Sequence, residues 1–379
     1  MSMDLKSSFL VLFMLTSMLI CYADVFDDFN YPAAFNFGDS NSDTGDLVAG
    51  LGISMPAEDG RSFFQKPSGR FCDGRLIVDF LRDAEGMPFL PAYLDAVGAP
   101  SFHNGCNFAA AGSTIQPATA ASLCPFSFGV QVNQFFRFRA RVLDLQPESN
   151  KYGKYLPEVE YFSKGIYMFD IGQNDLAGAF YSKTFDQIIA LIPSILAIFE
   201  AGTKRLYNAG ARNFWIHNTG PLGCLAQNIA KFGTDPSKLD EIGCVIDHNE
   251  AAKSFNSQLH QLCQSLRGQL ADVNITYVDI YSIKLDLIAN YSQHGFEQPF
   301  MVCCGYGGPP LNYDSRVGCG GTAVINGTTV TSKACSDSSK YVNWDGIHYT
   351  EAANHFVASQ ILTGLYSDPP SPSTLLSRT

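Results

Sequence analysis

Phe35-Asn36-Phe37-Gly38-Asp39-Ser40-Asn41-Ser42-Asp43-Thr44-Gly45 changes character halfway along its length. Up to Phe37 it belongs to a mostly apolar run, residues 31–37, of the kind that forms a buried strand. Beyond Gly38 it is small and polar, and Gly38 allows the chain to turn tightly at the junction. Ser40 then stands at the carboxyl edge of a sheet, where open α/β folds place their ligands. An ordinary turn rich in Gly, Asp and Ser has the same composition, so the surroundings must decide.

Outward from this strand, short apolar runs alternate with helical patterns. Residues 107–111, 165–169, 213–216 and 273–278 read as further strands. Helical spacing covers 76–81, with Asp73 or Gly74 as its cap, then 130–145, 185–199, 251–266 with Gly268 as its stop, 283–289, and 352–365 capped by Thr350. The alternation suits crossover units and predicts one doubly wound α/β domain with long insertions. Residues 301–340 are the exception. Four cysteines, seven glycines and little periodicity predict a disulfide-tied loop region there.

Composition narrows the class. With 46% hydrophobic and 16% charged residues the 379-residue chain can bury a large core, which excludes disorder as a whole-chain description. Thirty-six acidic against 25 basic residues give a net charge of -11, which disfavours nucleic acid as a partner. Lys6, an apolar stretch over 9–20 and Ala23 read as a secretory signal, residues 1–23, leaving 24–379 as the mature chain. That stretch is shorter than the roughly 20 residues needed to span a bilayer, and no second stretch is expected to span one.

Removing Cys21 with the signal leaves an even set of cysteines at 72, 106, 124, 224, 244, 263, 303, 304, 319 and 335, which predicts several disulfides. Adjacent Cys303 and Cys304 are expected to pair elsewhere. No compact zinc-ligand spacing occurs, so no metal is expected. Sequons at Asn274, Asn290 and Asn326 fit a secreted glycoprotein.

A serine hydroxyl needs a base to become a nucleophile. Among seven histidines, His348 stands out because Asp345-Gly346-Ile347-His348 directly precedes the final helix. Asp345 is close enough to orient one ring nitrogen while the other faces Ser40. Ser40 N–H, Gly112 N–H and the Asn174 side-chain amide are candidate oxyanion donors. Locally, each also reads as an ordinary helix-entrance pair or turn residue. Neither Gly-x-Ser-x-Gly nor a phosphate-binding glycine loop occurs, which argues against the usual α/β-hydrolase and against nucleotide use. Asp39, Asp43, Asp170 and Asp175 cluster near strand ends and leave glycoside hydrolysis open.

Taken together, these blocks resemble the GDSL esterase/lipase family of the SGNH hydrolase superfamily, in particular its plant secreted, early-nodulin-like branch. The resemblance rests on Gly38 to Gly45 with Ser40 as nucleophile, on Gly112, on Gly172 and Asn174 within Gly172-Gln173-Asn174-Asp175, and on Asp345 with His348. The four blocks occur in family order over about residues 31–365. The resemblance implies a flavodoxin-like three-layer α/β/α sandwich with a central, mainly parallel five-stranded sheet. It also implies cofactor-free hydrolysis of a carboxylic ester through an acyl-enzyme, with Ser40, His348 and Asp345 as triad. Ser40, Gly112 and Asn174 would form the oxyanion hole, with Gly38, Asp39, Asp43 and Gly172 in support. Small or medium acyl esters of sugars, cell-wall polysaccharides or specialised metabolites are the expected substrates, in the apoplast or cell wall. Acyl transfer to a sugar or organic acid, or a vestigial catalytic set on a defence or carbohydrate-binding protein, are the alternatives. Phe63, Phe64, Phe135, Phe136 and Tyr306 are candidates for an acyl or aglycone pocket, though core packing is the expected fate of most.

Overall fold

The computed structural model describes residues 31–370, apart from 96, 99, 100 and 121. The secretory-signal reading therefore lies outside the described residues. Five parallel strands form the central sheet: β1 (Ala34–Gly38), β2 (Gly105–Asn107), β3 (Ile166–Asp170), β4 (Asn213–His217) and β5 (Asn274–Val278). Their spatial order is β2-β1-β3-β4-β5, the flavodoxin-like order, which reverses direction between β1 and β3. Ser367–Asp368 adds a two-residue antiparallel edge beside β5, a sixth strand too short to leave a periodic signal.

The strands are apolar because parallel strands are covered on both faces. On one side Phe35 and Phe37, two residues apart, point into the same layer. There Phe37 stacks on Phe108 and Phe169, with ring centroids 5.3 Å away in each case. Helices α3 (Phe128–Leu145), α5 (Phe185–Asn208) and α7 (Ile246–Gln269) pack side by side to form one layer. The other layer holds α2 (Ile77–Ala84), α8 (Ile280–Ala289) and α9 (Glu351–Leu362). The short helices α1 (Asp46–Leu51), α4 (Gln173–Ala179) and α6 (Ala226–Phe232) follow loops at the carboxyl edge.

Several sequence expectations need adjustment. Residues 107–111 are buried but only Gly105–Asn107 is strand, because the chain leaves the sheet at Phe108. Helix α2 is not capped by Asp73 or Gly74. Its first free N–H, that of Leu76, donates to Asp79 Oδ2 at 2.9 Å. Asp73 instead serves the start of α9, accepting from Glu351 N at 2.7 Å. Gly268 does not stop α7, which runs on to Gln269. Thr350 caps α9 as expected, accepting from Ala353 N at 3.2 Å. Helix α5 is longer than expected and, by length and hydropathy alone, would cross a bilayer. In the fold its apolar stripe of Ile188, Ile192, Ile195, Phe199 and Leu206 is buried, so it serves as a core helix.

Cys224–Cys244, Cys303–Cys335 and Cys304–Cys319 are bonded, so the adjacent cysteines do pair elsewhere. These three bonds are the several disulfides expected, and Cys72, Cys106, Cys124 and Cys263 are free and buried. Residues 301–340 are tied by two of these bonds, but they are not wholly irregular. Thr322–Ile325 and Thr328–Thr331 form a hairpin, and Cys304–Gly305 pairs with Lys333–Ala334.

Candidate active site

The three sequence blocks that follow β1, β2 and β3 meet at the carboxyl edge, at the switch point of the sheet. Register explains why: Ala34–Asn36 pair with Gly105–Asn107, and Gly38 pairs with Asp170, so the three strands end side by side. Ser40, two residues beyond β1, is 5% exposed. Its turn is closed by Asp39 N donating to Asp170 O and Ser42 N donating to Asp39 O, both at 3.1 Å. At Gly38 the fit is tight. A Cβ there would stand 2.4 Å from Ser42 Oγ and 2.7 Å from the Asp170 carbonyl oxygen.

Asp43 organises the loop around it. Its Oδ1 accepts from Gly45 N and Asp46 N at 2.7 and 2.6 Å, and its Oδ2 from Leu47 N and Ala111 N at 3.2 and 2.7 Å. One carboxylate thus fixes both the turn that carries Ser40 and the backbone just ahead of Gly112. Burial outweighs those four bonds and raises the Asp43 pKa to about 6. Gly112 itself has φ of +77°, a conformation that suits glycine.

The third block is tied to both others. Asn174 Nδ2 donates to Ser113 O at 2.9 Å, placing this amide beside the backbone that follows Gly112. Asp175 accepts from Ile115 N and Gln116 N at 2.8 and 2.9 Å. Gln173 Nε2 donates to Asp39 Oδ1 at 3.0 Å. Gly172, with φ of +123°, packs against Phe255, so a Cβ there would lie 2.7 Å from the ring.

Asp345 and His348 form a direct pair, with Nδ1 2.6 Å from Oδ2. The other Asp345 oxygen accepts from Ile347 N and His348 N, both at 2.9 Å. This leaves His348 Nε2 buried with no hydrogen-bond partner. Burial alone would lower the imidazole pKa, but the charge and hydrogen bond of Asp345, with Asp59 and Asp39 adding, hold it above its ordinary value. Burial would likewise raise Asp345, yet His348 and the two backbone donors bring it below the usual carboxylate value. The Phe71 ring lies 5.6 Å from the imidazole, centroid to centroid. The loop is braced by Gln227 N donating to Gly346 O at 3.0 Å, and by Trp344 Nε1 donating to buried Asp59 at 2.8 Å.

Two supports escaped the sequence reading. Gln131 of α3 clasps Gly38 from both sides, accepting from its N–H at 2.9 Å and donating to its carbonyl at 2.8 Å. Asn107 donates to Ser42 O at 2.7 Å and to Thr44 Oγ1 at 2.9 Å. A polar side chain on the core-facing stripe of an amphipathic helix was the available sign of Gln131. Of the aromatic pocket candidates, Phe135 is core, whereas Phe63 is 43% exposed and forms a cluster with Phe64 and Phe89. Among the described residues no group of three or more His, Cys, Asp or Glu is arranged to hold a metal ion.

The sequons fall in three environments. Asn326 is exposed in the hairpin turn and Asn274 is exposed at the start of β5. Asn290, at the end of α8, is half-buried and donates to Asp286 Oδ1 at 2.7 Å.

Comparison with known proteins identifies the family. Residues 35–361 match the model of the GDSL-like lipase/acylhydrolase family. A GDSL esterase/lipase of Arabidopsis thaliana is 60% identical, the match covering 97% of this chain and 96% of the relative. The GDSL esterase/lipase ENOD8 of Medicago truncatula is 43% identical over 90% of this chain and 88% of its own, in keeping with the early-nodulin-like resemblance. Another Arabidopsis thaliana relative, named Alpha-L-fucosidase 3, is 45% identical over 89% of this chain and 91% of its own. The chain therefore belongs to the GDSL-like lipase/acylhydrolase family of plants and is a hydrolase of the serine-esterase type.

Proposed function

We propose that residues 24–379 form a secreted carboxylic-ester hydrolase domain that works through Ser40, His348 and Asp345. The observation that carries this reading is the 2.6 Å Asp345–His348 pair. A proton held on Nδ1 by the carboxylate leaves the buried, unpartnered Nε2 as the free base of the site. Nε2 accepts the hydroxyl proton as Ser40 Oγ attacks the ester carbonyl. The Ser40 and Gly112 N–H groups and the Asn174 amide receive the charge that develops on the carbonyl oxygen. One Asn174 N–H bond is spent on Ser113 O, which fixes the amide plane and leaves its second N–H for the oxyanion. Collapse breaks the ester C–O bond, and His348 returns its proton to the departing alcohol. Water, deprotonated by the same nitrogen, then cleaves the acyl-Ser40 bond. Small or medium acyl esters of sugars, cell-wall polysaccharides or specialised metabolites are the substrates favoured by the family resemblance.

The test is a panel of p-nitrophenyl esters from acetyl to long-chain, acetylated xylan and hydroxycinnamoyl esters, assayed with wild type and Ser40→Ala. Turnover is expected to fall at least about 10³-fold in the variant. Equal turnover in both proteins would remove Ser40 from the mechanism. Glycoside hydrolysis is a second reading, favoured by the relative named Alpha-L-fucosidase 3 and by two acids, Asp39 and Asp170, whose backbones are hydrogen-bonded at the sheet edge. Hydrolysis of an ester-free aryl fucoside that survives Ser40→Ala would establish it.

A further inference from the structure

Beneath the nucleophile turn lies a second group of ionisable side chains that the proton transfers above do not use. Lys284, on α8, is only 4% exposed, an uncommon place for an ammonium group. Its Nζ lies 4.3 Å from the centre of the Tyr349 ring, directly after His348 in the chain. A Cβ at Gly220 would stand 3.0 Å from Lys284 Cδ and 3.8 Å from Nζ, so the glycine leaves room for this side chain. Asp170, at the end of β3, and Asp39, after β1, both act on the ammonium as negative charges. Among the described residues Lys284 forms no direct ion pair with either acid.

The other ionisable groups in this region are as unusual. Asp39 is fully buried and its Oδ2 has no hydrogen-bond partner, while Oδ1 takes bonds from Asn41 and Gln173. Burial and the neighbouring Asp170 both push the Asp39 pKa up, and His348 and Lys284 pull it down. His217, at the end of β4, is 4% exposed, has its Nδ1 3.6 Å from Asp170 Oδ2, and lacks a hydrogen-bond partner on either nitrogen. Asp345, in direct contact, and Asp59 also act on His348. Five parts of the chain, the loop after β1, the ends of β3 and β4, helix α8 and the segment before α9, thus supply two acids, an ammonium and two imidazoles to this region.

An unpaired buried cation is costly, and replacing it with an apolar side chain would relieve that cost. Its position suggests a use. His348 already feels the negative charge of Asp345, and Asp59 and Asp39, raised to about 7 and about 8, add theirs as they ionise. Each holds the proton on the imidazole more tightly, and a general base that is protonated at the working pH does nothing.

We propose that Lys284 is a positioning residue that acts through charge: its ammonium offsets the Asp39–Asp170 pair and so keeps His348 free to act as a base at lower pH. This inference rests on the catalytic reading of His348. The sign follows directly. Without the ammonium the site is more negative, His348 holds its proton more tightly, and the acid limb of activity moves to higher pH. Without the Asp170 charge the limb moves to lower pH.

The experiment measures kcat/KM for p-nitrophenyl acetate from pH 4.5 to 9 with wild type, Lys284→Met, Asp170→Asn and the double variant. Removing one unit charge from a partly screened buried site shifts a neighbouring pKa by on the order of 0.5–1.5. The limb should rise by about that amount in Lys284→Met, fall in Asp170→Asn, and return towards wild type in the double variant. A purely structural role would lower rates without moving the limb in opposite directions. If folded Lys284→Met and Asp170→Asn both keep the wild-type limb, the proposal is overturned. If Lys284→Met does not fold, Asp170→Asn decides: a lowered limb supports the proposal and an unmoved limb refutes it. Failure of the catalytic reading is separate, because it would appear as undiminished activity in Ser40→Ala.

Discussion

Replacing Asp345 by asparagine tests the site at the point where its geometry is most explicit. In the wild type the two carboxylate oxygens have different partners. Oδ1 accepts from Ile347 N and His348 N, both at 2.9 Å, and Oδ2 stands 2.6 Å from His348 Nδ1. Asparagine has one oxygen to offer, and two backbone donors compete for it. With the oxygen in their grasp, the amide NH₂ occupies the place of Oδ2 and donates to Nδ1. The imidazole proton is then driven to Nε2, where the proton of Ser40 must arrive. The opposite amide orientation leaves two backbone N–H groups facing an NH₂, at a cost of about 1–3 kcal/mol for each unsatisfied donor. The wrong tautomer therefore prevails, and kcat/KM should fall about 10³–10⁴-fold, equivalent to about 4–5.5 kcal/mol of barrier. Asp345→Ala cannot force the tautomer and should retain more activity than Asp345→Asn. Ester hydrolysis across pH 5–9, with ¹⁵N NMR of the imidazole and thermal melting of each variant, supplies the assay. The residual activity of Asp345→Asn should have its acid limb at lower pH, because the charge that raises His348 is gone. An asparagine variant within tenfold of wild type, or more active than the alanine variant, would refute the reasoning.

The Asp43 pKa, raised from 3.8 to about 6 in the fold, links stability to pH. The folded state binds this proton more tightly than the unfolded chain, so the contribution is fully present below about pH 4 and is lost as pH rises through 6. By urea unfolding, wild type should lose about 3 kcal/mol from this group between those limits, a dependence that Asp43→Asn should lack. Cys303 and Cys335 enclose 32 residues of sequence separation, so their joint replacement by serine should lower unfolding free energy by about 2–4 kcal/mol; an unchanged denaturation midpoint would contradict this. Glycosylation is expected at Asn326, exposed in its hairpin turn, and not at Asn290, whose amide is held by Asp286. Peptide mass spectrometry after enzymatic deglycosylation in ¹⁸O water distinguishes the two.

Much of this protein was legible because it is written in local pattern. Buried parallel strands are apolar on both faces, so Phe35 to Gly38 and the runs around residues 166 and 213 announce themselves, and the connecting helices follow from their spacing. The chemistry-bearing residues were legible for a related reason. Ligands gather where strands end, so Ser40, Gly112 and Asn174 had to lie close once β2, β1 and β3 were neighbours. Asp345 and His348 needed only three residues of separation and a helix start.

What sequence could not determine were partnerships between distant residues, because no local period records them. Asp73 looked like a cap for the helix that follows it and instead caps one that begins near residue 350. Ten cysteines predicted several disulfides without saying which, and the fold joins six of them while Cys72, Cys106, Cys124 and Cys263 remain buried thiols. Gln131 and Lys284 look like ordinary polar residues on helices, and only packing buries them, Gln131 against Gly38 and Lys284 over the Tyr349 ring. The sequence by itself determined the sheet, its crossover units and the residues proposed to cleave an ester at its edge. The tertiary structure alone decided which buried charges surround them, because a charge acts through space and its neighbours there come from separate parts of the chain.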